Sequence, residues 1–380
     1  MKELLPLFQQ NLIFYVFCFF CLVVLIQFIY VLFFYTRLAF YKEKVKENTE
    51  FPPVSVIIAA RNEEENLYRY LPLILEQDYP EFEVLVVNHQ SIDDSYQVLN
   101  TLKMTYPNKL KVIEVERSKH LGSGKKFPLS LGIKIAKYQH LVLTDADCEP
   151  SSKKWLALMS GKFSEQKQLI IGFAPYRKKN GWLNRLIRFD ALMIAMNYLS
   201  FALARVPYMG VGRNLAYTKK LYESVNGFKS HYSIISGDDD LFIQEVAKNK
   251  NYCIQIHPDS YCYSEGKDSW SKWMIQKSRH YSASSKYKVI KKYLLGIYPL
   301  SLIFAWICFV ILLLDMEYRW LSGLIFVFII LLKWWIQGKC LAKLKNNKFI
   351  WFLPISDLLY ALFTPFVYYS FDKNKIARWK

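Results

Sequence analysis

The sequence predicts an α/β protein whose mainly parallel, twisted sheet is flanked by helices and which is anchored in a membrane near both ends. Two observations support this class. Short apolar, strand-like runs alternate with helical patterns through the middle of the chain, an order typical of parallel sheets with right-handed crossovers. Long apolar runs lie on either side of that region. We therefore expect a membrane segment at 1–41, an α/β domain at 42–292 and a second membrane region at 293–380.

The first apolar run, Asn11–Tyr35, contains no charged residue. A membrane-spanning helix needs roughly 20 apolar residues, so this run is long enough. The apolar core of a signal peptide is only about 7–15 residues long and is followed by small residues at a cleavage site. No such site follows the run. We therefore expect a retained transmembrane helix.

Two further apolar runs, Tyr293–Leu314 and Trp320–Ile336, are separated only by Asp315–Arg319 and are expected to form a transmembrane hairpin. A last run, Phe349–Ser370, carries Asp357 in its middle and a proline towards each end. This pattern fits a re-entrant or interfacial element as well as a fourth span. The basic tail that follows favours an element that dips in and returns.

The net charge of +18 arises largely from lysines beside the apolar runs rather than from a nucleic-acid motif. These clusters are Arg37, Lys42, Lys44 and Lys46; Lys286, Lys288, Lys291 and Lys292; and Lys339, Lys343, Lys345 and Lys348. Juxtamembrane clusters favour anionic headgroups of the lipid bilayer and mark the cytoplasmic side. Since no zinc-finger spacing or RNA-binding signature is present, we expect no nucleic-acid partner. The sequence predicts a multi-pass protein of the cell (inner) membrane with a cytoplasmic α/β domain.

The α/β region supplies strands whose ends carry polar residues. The expected strands are Val54–Ala59, Phe82–Val87, Lys111–Glu116 and His140–Thr144. Asn62 is expected to cap the helix after the first strand, with Glu65 in capping-box position. Ligands bind beyond the carboxyl ends of such strands, so the polar loops after the first, second and fourth strands should converge. These loops are Arg61-Asn62-Glu63, Asn88-His89-Gln90 and Asp145-Ala146-Asp147.

Two acidic motifs are candidates for chemistry. Asp145 and Asp147 leave a buried strand, and two carboxylates so spaced can hold Mg²⁺ or Mn²⁺ against a diphosphate, although Asp is also common in solvated turns. Asp238, Asp239 and Asp240 open a helix, where one carboxylate is enough for a cap. Crowding of three carboxylates is expected to raise at least one pKa, as a general base requires.

Basic residues supply a third group of candidates. Gln276 and Arg279 are three residues apart and share a helix face, on which Arg can contact phosphate oxygens. The alternative is a basic face lying on the membrane. The loop Gly122–Lys126 lacks the spacing of a phosphate-binding P-loop. Its Lys125 is expected either to reach a diphosphate or to lie in solvent. The apolar helix expected in Gly181–Pro207 fits either the membrane interface or the domain core.

Together these motifs resemble the family 2 glycosyltransferases over most of 53–282. The matching stretches are PPVSVIIAARNEEENL, VLVVNHQSIDD, GKKFPLSLGIKIA, TDADC, GVGRNLAY, GDDDLF and QKSRH, in that family's order. The membrane-embedded branch, which includes cellulose synthase, hyaluronan synthase and ceramide glucosyltransferase, has a Q-x-x-R-W element similar to Gln276–His280. It also has flanking membrane helices.

The resemblance implies a GT-A fold and inverting transfer from a nucleotide sugar, with UDP favoured, to a membrane lipid or lipid-linked acceptor. It implies a Mg²⁺ or Mn²⁺ ion on Asp145 and Asp147, and Asp239 as the catalytic base. The implied donor-binding residues are Ala60, Asn62, Glu63, Asn88, Lys125, Asp145, Gln276 and Arg279. The implied acceptor-side residues are Gly212, Asn214, Asp238 and His280.

The chain departs from the family pattern at two positions. Asn88 stands where an Asp commonly contacts the nucleotide base, and His280 stands in place of the Trp of Q-x-x-R-W. A catalytically degenerate membrane scaffold is therefore one alternative, and a nucleotidyltransferase is another. A processive polysaccharide synthase is a third. A processive synthase needs a polar path through the membrane for its polymer, and only Asp357, Lys333 and Gln27 are strongly polar within the membrane runs. We therefore expect one or a few sugar additions to each acceptor. A homo-oligomer would supply more helices for such a path.

Overall fold

The computed structural model describes residues 4–43, 51–116, 124–234, 236–248 and 250–369. The chain forms two compact units that divide between Tyr41 and Lys42 and again between Tyr287 and Lys288. The unit between these divisions is an α/β domain, and the other unit contains helices from both ends of the chain. The predicted α/β class is therefore confirmed.

The α/β unit is built on a seven-stranded sheet with the order β3-β2-β1-β4-β7-β6-β8. Strands β1 to β4 are parallel to one another, whereas β7 is antiparallel to both of its neighbours. Strands β5 and β9 form a separate antiparallel ribbon. The strands are β1 Val54–Ala60, β2 Phe82–His89, β3 Leu110–Val115, β4 His140–Asp145, β5 Cys148–Pro150, β6 Leu169–Gly172, β7 Leu215–Thr218, β8 Tyr252–Gln255 and β9 Cys262–Ser264.

Helices flank the sheet and make up the second unit. The α-helices are α1 Leu4–Tyr30, α2 Thr36–Ala39, α3 Glu64–Leu75, α4 Ser95–Thr105, α5 Lys126–Ile135, α6 Trp155–Ser160, α7 Trp182–Leu203, α8 Lys219–Glu223, α9 Asp240–Val246, α10 Trp270–Ser284, α11 Val289–Leu313, α12 Arg319–Lys343 and α13 Leu353–Tyr369. Short 3₁₀ turns lie at Gly212–Asn214, Lys229–His231, Pro258–Ser260 and Asn347–Phe352, and a π-helical turn at Val31–Tyr35 joins α1 to α2.

Helix α5 lies unusually close to the sheet. A Cβ atom at Gly132 would lie 2.8 Å from Cγ2 of Ile57 and 3.2 Å from Cγ2 of Val87. Only glycine permits this approach without a shift of the helix or the strands. Lys125 and Lys126 begin this helix, and the ring of the next residue, Phe127, lies 5.7 Å from the ring of His89 at the carboxyl end of β2.

The helix after β1 begins differently from the prediction. Helix α3 starts at Glu64, and Asn62 does not cap it: Asn62 lies in the left-handed region with φ of 53°. Its side-chain oxygen instead accepts a hydrogen bond of 2.9 Å from the amide of Ile92. The amide of Glu64 donates to the carboxylate of Asp93, 3.1 Å away. An acid from the next loop therefore takes the role of the cap, a long-range contact that local spacing does not reveal.

Helix α7 is a core helix of the α/β unit, which decides between its two predicted interpretations. Most of its side chains are buried. The hydroxyl of Tyr198 donates to the carbonyl of Gly172 in β6 over 2.9 Å. The buried carboxylate of Asp190 accepts hydrogen bonds of 2.7 and 2.8 Å from the ammonium group of Lys277. These contacts connect α7 to the sheet and to α10.

The second unit is a helical bundle with an aromatic core. Phe20, Leu312 and Phe326 are buried together, and the rings of Phe309 and Phe326 stack at 4.0 Å. Two buried glutamines of the bundle are paired within it, which lowers the cost of placing polar groups in an apolar surrounding. For example, the amide of Gln27 donates to a backbone carbonyl in α11 over 3.0 Å.

Four helices within the described part of the chain are long and apolar enough to cross a membrane, which is consistent with a membrane protein. They are Asn11–Ala39, Trp182–Leu203, Val289–Leu313 and Arg319–Lys343. The second of these is the buried helix α7. The ambiguous C-terminal run forms α13, which has 17 residues and is not among the four. The basic tail after it, together with Lys44 and Lys46, lies outside the described residues.

Candidate active site

Three of the predicted loops meet at one edge of the sheet. In the parallel register, Ala60 of β1 lies opposite Asn88 of β2. On its other side, Ala59 lies opposite Asp145 of β4. The carboxyl ends of the three strands therefore lie at the same level. This is the edge at which ligands bind in open α/β sheets.

The loops after β1 and β2 are connected to each other by hydrogen bonds. The amide of Asn62 donates to the hydroxyl of Ser91 over 2.9 Å. The amide of Glu63 donates to the hydroxyl of Ser95 over 3.1 Å. Asn62 and Glu63 are thus held by the loop that follows Asn88. The two predicted donor-binding loops form one continuous wall.

Asn88 is buried at the base of these two loops, and its side-chain amide has a fixed orientation. The side-chain nitrogen donates to the carboxylate of Glu114 over 2.8 Å, and the side-chain oxygen accepts a hydrogen bond of 2.5 Å from Ser91. Burial raises the pKa of Glu114, and the hydrogen bond from Asn88 partly opposes this effect. Asn88 can still offer one N–H and one lone pair to a ligand.

Lys125 connects two of the acidic motifs. Its ammonium group donates to the carboxylate of Asp145 and lies 3.7 Å from the carboxylate of Asp238. Burial tends to raise the pKa of Asp145, but Lys125, followed by Arg213 and Arg279, outweighs burial and lowers it. The same acids raise the pKa of Lys125 although burial opposes this. The pair is therefore ionised at neutral pH.

Asp145, Asp147 and Cys148 form the one described cluster of three side chains able to surround a metal ion, with ligand atoms within 4.8 Å of one another. The two carboxylates fit Mg²⁺ or Mn²⁺. The thiol does not, because burial and the neighbouring Cys262 raise the pKa of Cys148 well above its ordinary value. Since Asp145 is already paired with Lys125, Asp147 is the carboxylate better placed to bind a cation.

Asp239 faces the same space from the loop before α9. One carboxylate oxygen accepts a hydrogen bond of 3.0 Å from the amide of Gly212, and the other accepts one of 2.8 Å from the amide of Asp240. Burial, together with the charge of Asp238, raises the pKa of Asp239 to about 6. A raised pKa agrees with the expectation from three consecutive acids, although burial is the larger cause. A carboxylate with this pKa is suited to accept a proton near neutral pH.

The third acid of the motif points elsewhere. The hydroxyl of Tyr287 donates to the carboxylate of Asp240 over 2.6 Å. Burial and the charge of Asp239 raise the pKa of Asp240 to about 8. Tyr287 is distant in sequence, so sequence reasoning does not identify it as part of the site.

Helix α10 brings Gln276 to a second residue that sequence reasoning missed. The amide of Gln276 donates to the hydroxyl of Tyr176 over 3.2 Å. The guanidinium of Arg213 lies 4.5 Å from the centre of the Tyr176 ring and donates to the carbonyl of Ala174. Arg213 lies in the stretch GVGRNLAY, but the effect of its charge on the pKa of Asp145 in β4 arises only from the three-dimensional fold. Arg279 is partly buried, and His280 on the same helix is exposed.

Asn214 lies behind the site rather than at its surface. It is fully buried, and its oxygen accepts a hydrogen bond of 3.0 Å from the indole of Trp155. Its nitrogen donates to the carbonyls of Phe173 and Ser260, 2.9 and 2.8 Å away. The amide is therefore used within the protein. Asn214 fixes the start of β7 and the turn that carries Gly212.

Comparison with known proteins gives two family matches. The model described as "Glycosyl transferase family 2" matches residues 55–225, and the model described as "Glycosyl transferase family group 2" matches residues 163–365. The chain is 25% identical over 258 residues to the probable glycosyltransferase YdaM of Bacillus subtilis, a match covering 65% of this chain and 59% of that protein. It is 31% identical over 101 residues to the poly-beta-1,6-N-acetyl-D-glucosamine synthase of Staphylococcus epidermidis, covering 27% of this chain and 23% of the synthase.

A solved structure shares the fold. The mannosyltransferase PcManGT from Pyrobaculum calidifontis, determined in complex with GDP-Man and Mn²⁺, is similar with a TM-score of 0.57 and 18% identity. The match covers 92% of this chain and 98% of that structure. The matched regions span less than two thirds of the two curated relatives described above. Because the family group 2 model covers more than half of the 380 residues, the chain belongs to the family 2 glycosyltransferases.

Proposed function

We propose that the protein transfers a sugar, with inversion, from a nucleotide-sugar donor to a membrane-bound acceptor. The first acceptor to test is a lipid or a lipid-linked molecule. The observation that carries this proposal is the convergence of Lys125, Asp145, Asp238 and Asp239 near Gly212. A Cβ atom at Gly212 would lie 3.6 Å from Oδ2 of Asp238, 3.6 Å from Nζ of Lys125 and 3.7 Å from Oδ2 of Asp239. The proposed base Asp239, the ammonium group of Lys125 and the candidate metal ligands Asp145 and Asp147 thus lie together. They lie beside the loops after β1 and β2 that are assigned to the donor.

In the proposed reaction, Asp239 accepts the proton of an acceptor hydroxyl as that oxygen forms a bond to the anomeric carbon of the donor sugar. The bond between that carbon and the diphosphate oxygen breaks on the opposite face, and the nucleoside diphosphate leaves with the electron pair. Asp147, assisted by Asp145, would hold a divalent cation, which when bound would offset the negative charge of the leaving diphosphate. Arg279 and Lys125 add fixed positive charge near the same group.

Gly212 and Asp238 lie beside Asp239 and are assigned to the acceptor side, together with His280. Ala60, Asn62, Glu63, Asn88 and Gln276 are assigned to the donor. The solved mannosyltransferase binds GDP-Man, whereas the resemblance of the sequence motifs favours a UDP-sugar. Donors with both bases are therefore the first to test.

We further propose that the α/β unit faces the cytoplasm and that the helical unit is embedded in the inner membrane, with the domain organisation expected from the sequence. Support comes from the three long apolar helices of the helical unit, Asn11–Ala39, Val289–Leu313 and Arg319–Lys343, and from the basic residues beside the apolar runs. Synthesis of a cell-envelope glycan or glycolipid is the process that fits such a location.

The test is a donor screen with the purified full-length protein in nanodiscs. Slow hydrolysis and thermal stabilisation are measured for UDP- and GDP-sugars with and without Mn²⁺. We expect one donor to be hydrolysed and to stabilise the protein, with both effects lost in Asp147→Ala. A protein that neither binds nor hydrolyses any nucleotide sugar would be a degenerate scaffold, and the proposal would be wrong.

A further inference from the structure

Lys126 is a buried lysine that contacts no carboxylate within hydrogen-bond distance in the described part of the chain. Its side chain is 2% exposed, at the first position of α5. The ammonium group donates to three backbone carbonyls, those of His231 at 2.6 Å, Ile234 at 2.7 Å and Ser236 at 2.8 Å. An ammonium group has three protons, so each proton has its own acceptor.

The three carbonyls belong to the segment that leads directly into the acidic motif. The last of them, that of Ser236, lies just before Gly237, whose φ is +96°. A Cβ at Gly237 would lie 2.6 Å from Leu241, so the turn also requires glycine sterically. The chain then reaches Asp238 and Asp239. Lys126 thus fixes the backbone three residues before the proposed base.

The neighbouring lysine has a different contact from the same helix start. Lys125 pairs with Asp145 at the end of β4, whereas Lys126 holds the backbone before Asp239. Helix α5 is itself pressed against β1 and β2 through Gly132. The start of one helix therefore contacts both the end of β4 that carries Asp145 and the backbone that precedes Asp239.

We propose that Lys126 is a positioning residue for the transfer reaction, acting through the backbone carbonyls of His231, Ile234 and Ser236 to fix the place of Asp239. This inference rests on the proposed function of Asp239. Misplacement of a reacting group by about 1 Å can reduce a rate roughly 100-fold, so loss of the three hydrogen bonds is expected to reduce kcat strongly. Most of the donor-side residues lie on other loops, and Lys125 has its own contact with Asp145, so KM for the donor should change little.

A second contact favours folding without Lys126. The ring of His231 lies 3.3 Å from the carboxylate of Glu245 in α9. The segment is therefore attached to α9 as well as to Lys126. Removal of the lysine is expected to loosen the segment locally rather than to unfold the unit.

The test compares Lys126→Met, Lys126→Arg and the control Lys134→Met, which removes an exposed lysine from the same helix. Full-length proteins in nanodiscs are assayed for kcat, for KM of the donor and for hydrogen exchange in peptides covering 229–241. We expect Lys126→Met to reduce kcat roughly 100-fold and to increase exchange in these peptides. Lys126→Arg should restore part of the kcat and part of the protection from exchange. Lys134→Met should match the wild type in kcat and in exchange.

Two results would overturn the inference: wild-type kcat in Lys126→Met, or a lower kcat with unchanged exchange in 229–241. Exchange raised throughout the α/β unit would also overturn it, because the lysine would then support the whole fold. If Lys126→Met does not fold, Lys126→Gln, which keeps two N–H donors without the charge, takes its place under the same criteria. If the wild-type protein transfers no sugar, the proposed function fails separately, and the exchange comparison still decides whether Lys126 holds the segment.

Discussion

The amide of Gly212 donates a hydrogen bond of 3.0 Å to the carboxylate of Asp239. This contact connects the turn before β7 to the loop before α9, two segments far apart in sequence. It leaves a lone pair on the same carboxylate oxygen, while the other oxygen accepts from the amide of Asp240. Asp239 is thus oriented by backbone groups, which do not change with side-chain rotation.

Replacement of Asp239 by Asn should abolish sugar transfer while leaving donor affinity near that of the wild type. The amide keeps the size and the acceptor oxygen but cannot take a proton, and loss of a general base reduces a rate about 10²–10⁴-fold. Transfer is measured with saturating donor, and donor affinity by thermal shift. Asp240→Asn is the matched control, because Asp240 is paired with Tyr287. An inactive Asp238→Asn or Asp240→Asn beside an active Asp239→Asn would show that the base is assigned to the wrong acid.

The pH dependence of kcat should report the ionisation of Asp239. Because the base acts when deprotonated and its pKa is raised to about 6, kcat should fall about tenfold per pH unit below that value. Asp238→Asn removes a neighbouring negative charge that helps to raise this pKa, so the acidic limb should move to lower pH. The measured quantity is the pH at the midpoint of this acidic limb, not the maximal value of kcat. A limb that stays in place, or moves to higher pH, would contradict the assignment.

The sequence predicts the α/β class and the convergence of the loops after β1, β2 and β4, because strand period and loop position follow from local pattern. It does not reveal which groups orient the acids. Tyr287 reaches Asp240, and Asp93 rather than Asn62 caps α3, through contacts between distant segments. Arg213 lies in the stretch GVGRNLAY, but its contacts with Ser264 of β9 and with the ring of Tyr176 join segments that are distant in sequence. Such contacts have no local spacing by which they can be recognised.

Metal dependence should reside in Asp147. Chelation is expected to stop turnover reversibly, and Asp147→Ala should weaken nucleotide affinity only when Mn²⁺ is present. A charged contact is worth about 1.5–3 kcal/mol, which corresponds to roughly 10- to 100-fold in affinity. Cys148→Ala is the matched control, since its thiol stays protonated and should not contribute to metal binding. Full activity in excess chelator would exclude the metal role of the Asp145 and Asp147 pair.

The C-terminal tail should lie on the same side of the membrane as the α/β unit. The apolar run Phe349–Ser370 carries Asp357 in its middle and a proline towards each end, and the segment from Asp372 onwards is basic. A single cysteine introduced near Asn374 should therefore be protected from a membrane-impermeant thiol reagent in intact cells and react after permeabilisation. A cysteine introduced at Met316, between α11 and α12, is the control and should react from outside. Labelling near Asn374 in intact cells would show that α13 crosses.

The last prediction concerns how many sugars are added to each acceptor. A polymer-conducting pore needs several helices around a polar path. In this chain the amide of Gln27 is used in a hydrogen bond to α11, and Lys333 is buried within the helical unit. Gln337 is also buried, and its amide donates to the hydroxyl of Tyr298 over 3.0 Å, whereas most buried side chains of the unit are aromatic or aliphatic, such as Phe20, Leu312 and Phe326. One chain therefore offers little material for a conduit, and we expect one or a few additions to each acceptor.

Purified protein supplied with excess donor and a lipid acceptor should give a single discrete increase in product mass, or a few steps at most. Products are sized by mass spectrometry over a time course, at two protein densities in the membrane. The polymer synthase of Staphylococcus epidermidis, which is 31% identical over 101 residues, serves as the comparison for extension. A ladder that extends to long polymer would overturn the prediction. If that ladder appears only at high density, the conduit forms in an oligomer, because one bundle does not contain enough polar surface to line it.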